Sequence, residues 1–270
     1  MPALRPFPIL VALPLFGLAL ASVQAQDGRA TSVMAYDAGT ADVERGRAVV
    51  VGAFAAQPGQ GNNAVTPPAG ACFQCHGMDG KGDAAAAFPR LTDQVYKYLY
   101  DSLQDYASGA RQSPIMTPIA KALSDQQMRD VSAYYAAQKD APYGPSPQAD
   151  PSVLQYGAAI AAVGHAPRGV QGCINCHGPD GFGLPPTYPY LAGQNAAYLE
   201  AQLRAWKTGE RKGDGFGLME NIAKRLTDEE IHAVSQYYAA IRPRSVTPEQ
   251  VEAAAPIVPL PRISAPPVGR

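Results

Sequence analysis

The chain has 270 residues, room for two ordinary domains, and it sets 22 Lys and Arg against 23 Asp and Glu for a formal net charge of −1. That balance gives no basic footprint for nucleic acid, which is excluded as the expected partner. No segment after the first 25 residues is apolar enough to span a bilayer.

Residues 1–25 have the layout of an export signal. Arg5 supplies the positive start, residues 9–21 an apolar run, and Val23-Gln24-Ala25 a small-x-small cleavage site. Pro14 interrupts the run, which is shorter than the roughly 20 residues a spanning helix needs. Cleavage after Ala25 is expected. It leaves a mature chain with a formal charge near −2, since Arg5 is the one charged residue removed, and it places the protein in the periplasm.

Residues 26–138 are expected to form one all-α domain. A short helix is predicted over 43–52, followed by a Gly-, Pro- and Asn-rich insertion at 57–70, and then Cys72-x-x-Cys75-His76. Another helix is predicted over 96–107. Met116 is placed in a loop. Ser124 followed by Gln127 has capping-box spacing and opens a last helix, whose Met128, Val131 and Tyr135 make one apolar stripe.

Residues 139–152 contain Pro142, Gly144, Pro145, Pro147 and Pro151 and read as a semi-extended linker. Residues 153–242 then repeat the plan. Helices are predicted over 154–163 and 198–206, around Cys173-x-x-Cys176-His177; Met219 is placed in a loop, and a capping box of Thr227 and Glu230 opens a helix striped with Ile231, Val234 and Tyr238. A Pro- and Ala-rich tail, 243–270, has no helical or strand periodicity.

The two halves align residue by residue, which marks a duplication. Phe88-Pro89-Arg90-Leu91 matches Tyr188-Pro189-Tyr190-Leu191, Tyr98-Leu99 matches Tyr198-Leu199, and Gly109-Ala110-Arg111 matches Gly209-Glu210-Arg211. Further on, Ile119-Ala120-Lys121 matches Ile222-Ala223-Lys224.

The four cysteines carry the chemistry. In an exported chain they would ordinarily form disulfides, yet each pair stands directly before a histidine. Two thiols three positions apart can add to the two vinyl groups of haem while the adjacent imidazole binds the iron. A shuffled chain of this composition would hold about 0.001 such motifs. This one holds two, with no cysteine left over. A redox dithiol would call for a βαβ context that is missing, and a zinc site would need a fourth ligand from a repeat about one hundred residues away. Two covalent haem c groups are therefore expected, with His76 and His177 as iron ligands.

The second axial ligand must come from far along the same unit. Met116 and Met219 qualify, as the methionines that match across the repeats. Met128 aligns with Ile231 and belongs to the core stripe; Met78 is too near His76; Met34 precedes the domain. His165 and His232 have no histidine counterpart in the first unit and read as ordinary surface residues.

These motifs, with Leu191-Ala192-Gly193-Gln194, Gln202-Leu203 and Gly209 between Cys173 and Met219, resemble class I cytochromes c, and the tandem arrangement resembles the diheme cytochrome c4 family over 41–242. The resemblance implies that the carbonyls of Pro89 and Pro189 accept hydrogen bonds from His76 and His177, and that Gly46 and Gly157 let the first helix of each unit cross closely against Tyr135 and Tyr238. Thr92-Asp93-Gln94 departs from the family's Ala-Gly-Gln, which puts the backbone there in question.

The function implied is electron transfer between redox proteins of a respiratory chain: an oxidase, a reductase or a dehydrogenase. Peripheral membrane association stays open. The chain could instead be the dedicated cytochrome subunit of a dehydrogenase complex, or a diheme enzyme such as a peroxidase or a thiosulfate-oxidising protein. No catalytic residue is assigned. Material made in a maturation-competent bacterium should be coloured, and its pigment should stay with the chain in denaturing solvent; extraction of the pigment would overturn the covalent reading.

Overall fold

The structure, a computed structural model, describes residues 40–53 and 71–242. The export segment, the 57–70 insertion and the tail lie outside the described residues. Among those described there are ten α-helices and no strand beyond isolated bridges.

The first unit comprises α1 (Val43–Val50), α2 (Phe73–His76), α3 (Tyr96–Ser108), α4 (Met116–Ala122) and α5 (Asp125–Ala137). The second comprises α6 (Pro151–Val163), α7 (Ile174–His177), α8 (Ala196–Thr208), α9 (Leu218–Arg225) and α10 (Asp228–Ala240). A 3₁₀ turn, Ala166–Arg168, separates α6 from α7.

Both capping boxes form, with the Ser124 and Thr227 side chains accepting from the Gln127 and Glu230 amides and those side chains returning the bond. The stripes they open are buried: Val131 and Tyr135 in α5, Ile231, Val234 and Tyr238 in α10. Two expectations are corrected. Met116 and Met219 stand in the first turn of short helices, α4 and α9, not in loops. The helix after the linker starts at Pro151, since the Asp150 side chain caps it and proline, which has no N–H to leave unpaired, suits the first helical position.

In each unit the first helix crosses the last at a glycine. A Cβ on Gly46 would collide with the Asp130 carbonyl and meet Tyr134 Cβ at 2.8 Å, and one on Gly157 would collide with the Ala233 carbonyl and meet Tyr237 Cβ at 2.8 Å. The aromatics at the crossings are thus Tyr134 and Tyr237, one position before the expected pair. Tyr135 instead donates to the Gly77 carbonyl at 3.1 Å.

Each crossing is tied by a buried carboxylate, differently in the two units. Asp130 of α5 accepts from Arg45 Nε at 2.8 Å and from the Asp42 amide at 2.8 Å. In the second unit the fully buried Glu230 pairs with Arg168 and accepts from Tyr156 at 3.3 Å. Burial alone would raise both carboxyls; the hydrogen bonds and the guanidinium beside each outweigh it and hold both below the ordinary range.

The departure at 92–94 keeps the left-handed turn, although the Asp93 amide bonds to the Gln138 carbonyl where that of Gly193 bonds to Tyr238. Asp93 adopts the left-handed conformation of its equivalent, with φ 64° against 65° at Gly193. Aspartate tolerates this region better than most residues, and its carboxylate is held there by Arg90 at 3.1 Å.

Replacing Gly157 with valine should lower the stability of the second unit by at least about 1–3 kcal/mol through overpacking. Gly215→Ala, where nothing lies within 4 Å, should stay within about 0.5 kcal/mol of the parent. Denaturant titration followed by circular dichroism compares the two, and equal midpoints would contradict the crossing argument.

Candidate cofactor sites

The cysteine motifs wind into single helical turns, α2 and α7, in which the His76 and His177 amides bond back to the Cys72 and Cys173 carbonyls at 2.9 Å. The turn carries the histidine ring inward, and both rings are buried. His76 Nδ1 lies 3.0 Å from the Pro89 carbonyl, and His177 Nδ1 lies 3.0 Å from that of Pro189. A carbonyl only accepts, so Nδ1 must carry the proton and Nε2 keeps its lone pair. Burial lowers both imidazoles below the ordinary histidine value, which keeps them neutral and able to ligate.

In the first unit Cys72, His76, Pro89 and Met116 line one cavity, which opens to solvent. Its walls are apolar, built by Leu91, Leu99, Leu103, Ile119, Leu123 and Val131. Cys75 is on the motif helix but off this lining. In the second unit Cys173 packs with Leu191, Leu199 and Tyr238. Met219 is half-buried in α9, its amide tied to the Asp214 carboxylate.

Burial pushes the Cys72 and Cys173 thiols up to about 11. His232 is exposed beside Glu200 and His165 is half-buried; neither stands among the residues lining the first-unit cavity.

The cavity's inner end reaches the contact between units, where Arg111 and Tyr198 join its lining. Arg111 donates to Tyr198 Oη and to Gln202 Oε1, each at 2.6 Å. Arg211 donates to the same Gln202 oxygen at 3.1 Å and to Tyr98 Oη at 3.3 Å. Both guanidiniums are buried, with 3% and 6% of their residue surface exposed, and both Nε atoms lack a partner. Among the described residues no carboxylate hydrogen-bonds to either. The two guanidiniums pull the Tyr98 hydroxyl down against burial, while burial keeps the neighbouring Tyr198 hydroxyl raised. Haem carries acidic side groups, which two buried guanidiniums with unpartnered Nε atoms suit.

These residues were not singled out as functional in the sequence, though Arg111 with Arg211 and Tyr98 with Tyr198 align across the repeat. Neither were Gln94 and Gln194, which clip the opposite unit. Gln94 Oε1 accepts from the Tyr190 amide at 2.9 Å while its Nε2 donates to the Tyr190 carbonyl at 3.0 Å; Gln194 does the same to Arg90, at 2.8 and 2.9 Å. The linker joins this contact, with Arg90 donating to the Ala141 and Pro142 carbonyls and lying 4.0 Å over the Tyr143 ring.

Paired thiols before a neutral buried imidazole, in an apolar helical shell present twice, define a protein of the covalent-haem, electron-transferring class. The chain belongs to the cytochrome c family, whose model, described as Cytochrome c, matches residues 65–138 and 164–240, and it is a diheme class I cytochrome of the c4 type. It is 42% identical over 178 residues to a thiosulfate dehydrogenase electron acceptor of Thiomonas intermedia, covering 66% of this chain and 81% of that one. The structure of reduced recombinant cytochrome c4 from Pseudomonas stutzeri matches with a TM-score of 0.61 at 31% identity, over 75% of this chain and all of that one. A thiosulfate dehydrogenase structure from Marichromatium purpuratum matches with a TM-score of 0.65 at 35% identity, over 74% of this chain and 40% of that one. The chain is thus a carrier of electrons and holds two covalent haem c groups.

Proposed function

We propose that this protein is a periplasmic carrier that takes electrons from a thiosulfate dehydrogenase and delivers them to a respiratory oxidase or reductase. The observation that carries the reading is the 42% identity to a thiosulfate dehydrogenase electron acceptor over both haem-binding units. In this reading the mature protein begins at Gln26, after removal of the export signal, and the two units meet through the linker at 139–152.

Cys72 and Cys75 hold one haem and Cys173 and Cys176 the other, with His76 and Met116, and His177 and Met219, as the axial ligand pairs. Each bound haem supplies one reversible Fe(III)/Fe(II) electron site, so two sites match a donor that removes electrons in pairs. The protein's part is preorganisation. The Pro89 and Pro189 carbonyls hold the imidazoles in one tautomer. The methionine thioethers favour a higher potential than a second imidazole would. The leucine-lined walls keep water away and disfavour the extra charge of the oxidised state. Arg111 and Arg211 would hold the acidic side groups of the bound cofactors at the contact between units.

The oxidised protein should show sulfur-to-iron charge-transfer absorption at the strength of two haems, and Met116→Ala and Met219→Ala should each remove about half of it. Loss of none, or of all, in a single variant would refute the ligand assignment.

Catalytic amounts of a thiosulfate dehydrogenase with thiosulfate should reduce both haems fully, while thiosulfate alone leaves them oxidised and peroxide produces no steady turnover. A protein that stays oxidised beside the active dehydrogenase is not its acceptor, and turnover of thiosulfate without the dehydrogenase would favour an enzyme.

A further inference from the structure

We propose that Gln94 and Gln194 are cross-unit positioning residues, each tuning the haem of the opposite unit through the peptide group that fixes its histidine. The inference rests on the assignment of His76 and His177 as iron ligands.

The geometry is a relay through one amide. The carbonyl of the Pro189–Tyr190 peptide accepts from His177 Nδ1 at 3.0 Å, and the N–H of that same peptide donates to Gln94 Oε1 at 2.9 Å. The mirror relay runs from His76 Nδ1 to the Pro89 carbonyl at 3.0 Å, and from the Arg90 N–H to Gln194 Oε1 at 2.8 Å. Each iron-binding ring is thus two hydrogen bonds from a glutamine of the other unit.

Hydrogen bonds in series polarise one another. An acceptor at the peptide N–H increases electron density on the peptide oxygen, which then draws harder on the Nδ1 proton. The ring becomes a more basic donor at Nε2, which favours the oxidised iron and lowers the potential.

The glutamines are built to stay in place. Each bonds both the N–H and the C=O of the residue it clips, so rotation of the amide breaks two bonds at once. Each Oε1 also receives the next amide of its own chain, from Val95 or Asn195, at 3.0 Å. Both side chains are buried, with about one-twentieth of their surface exposed (5% and 6%), so water does not compete. Docking of the two units and the basicity of the iron-binding histidines are therefore linked.

The test uses the full-length protein carrying both haems. Spectroelectrochemistry resolves the two redox waves, and paramagnetically shifted proton resonances assign each to its unit. In Gln94→Met, which fills the space without bonding, the second-unit wave should rise. The Fe(II)/Fe(III) ratio at fixed electrode potential should increase about twofold, in keeping with a strengthening of roughly 10–30% per bond in a chain of hydrogen bonds. The first-unit wave should stay where it was, and the His177 Nδ1 proton resonance of the reduced protein should move upfield. Gln194→Met should give the mirror result on His76 and the first unit.

Gln94→Glu guards against simple undocking. An anionic acceptor pulls harder on the Tyr190 N–H, so the second-unit wave should move down. A shift of the same sign in both variants, or equal shifts of both haems, would overturn the relay. A different failure marks the ligand assignment: if His177→Gly leaves the second haem's axial spectrum unaltered, the histidine reading falls. An unmoved wave in Gln94→Met, with His177 shown to be a ligand, rejects the relay alone.

Discussion

The hydrogen bond from a buried histidine to a proline carbonyl is the interaction on which the rest of this molecule depends. Proline fixes its own φ, which limits how the backbone carrying the Pro89 or Pro189 carbonyl can turn away from the ring, 3.0 Å distant. The bond settles three matters together: the tautomer, the tilt of the imidazole, and which nitrogen faces the cavity. An unpartnered N–H in that apolar shell would cost about 1–3 kcal/mol. The loop that carries the proline is held just as firmly, by the Leu91 and Thr92 amides on the Gly80 carbonyl and the Leu191 and Ala192 amides on that of Gly181, at 2.7 and 3.1 Å in both units.

Because the plan occurs twice, the contact between the units is built from equivalent parts in a reciprocal pattern, the logic of an isologous interface inside one chain. Gln94 meets Tyr190 as Gln194 meets Arg90, and Arg111 meets Tyr198 as Arg211 meets Tyr98. Four amide hydrogen bonds at roughly 1 kcal/mol each would not hold two domains against their freedom to rotate. The buried arginines change that balance, since among the described residues no carboxylate hydrogen-bonds to either and their charge is met by tyrosine and glutamine oxygens, by the Tyr106 and Trp206 rings and by Asp105 without a hydrogen bond. Acidic cofactor edges between them would join both units through a charge that neither could bury by itself.

Much of this could be read in the sequence, because the features concerned are local. The Cys-x-x-Cys-His spacing, the capping boxes at Ser124 and Thr227, and the apolar stripes of α5 and α10 depend on neighbours within about two helical turns, and each is present in the structure as the pattern predicts. The helical start at Met116 was obscured by its setting, with Pro114 before and Pro118 inside the segment. Tertiary packing of the apolar face overrides such weak propensity. The glycine crossings were legible as crossings, but not the partner, since adjacent tyrosines differ by about 100° around a helix and only the packed structure selects Tyr134 and Tyr237. The glutamine clips were hidden for another reason. Alignment shows that two residues are equivalent; it does not show that equivalent residues face each other's units.

The duplication has not been kept symmetric, and some of the differences stand at the contact between the units. At the contact itself the first unit presents Arg90 and the second Tyr190, so the first is tied to the linker by a charge while the second meets it through the Tyr143 hydroxyl at 3.0 Å. Between the paired arginine and the methionine the second unit carries three more residues, a glycine-rich loop that presents Phe216 with 89% of its surface exposed. The first unit reaches Met116 directly through Pro114 and Ile115. Two haems in equal shells would have equal potentials and give electrons no direction. Here the shared hydrogen-bond frame fixes the geometry of both sites, and the unshared residues around it are what can set one apart from the other.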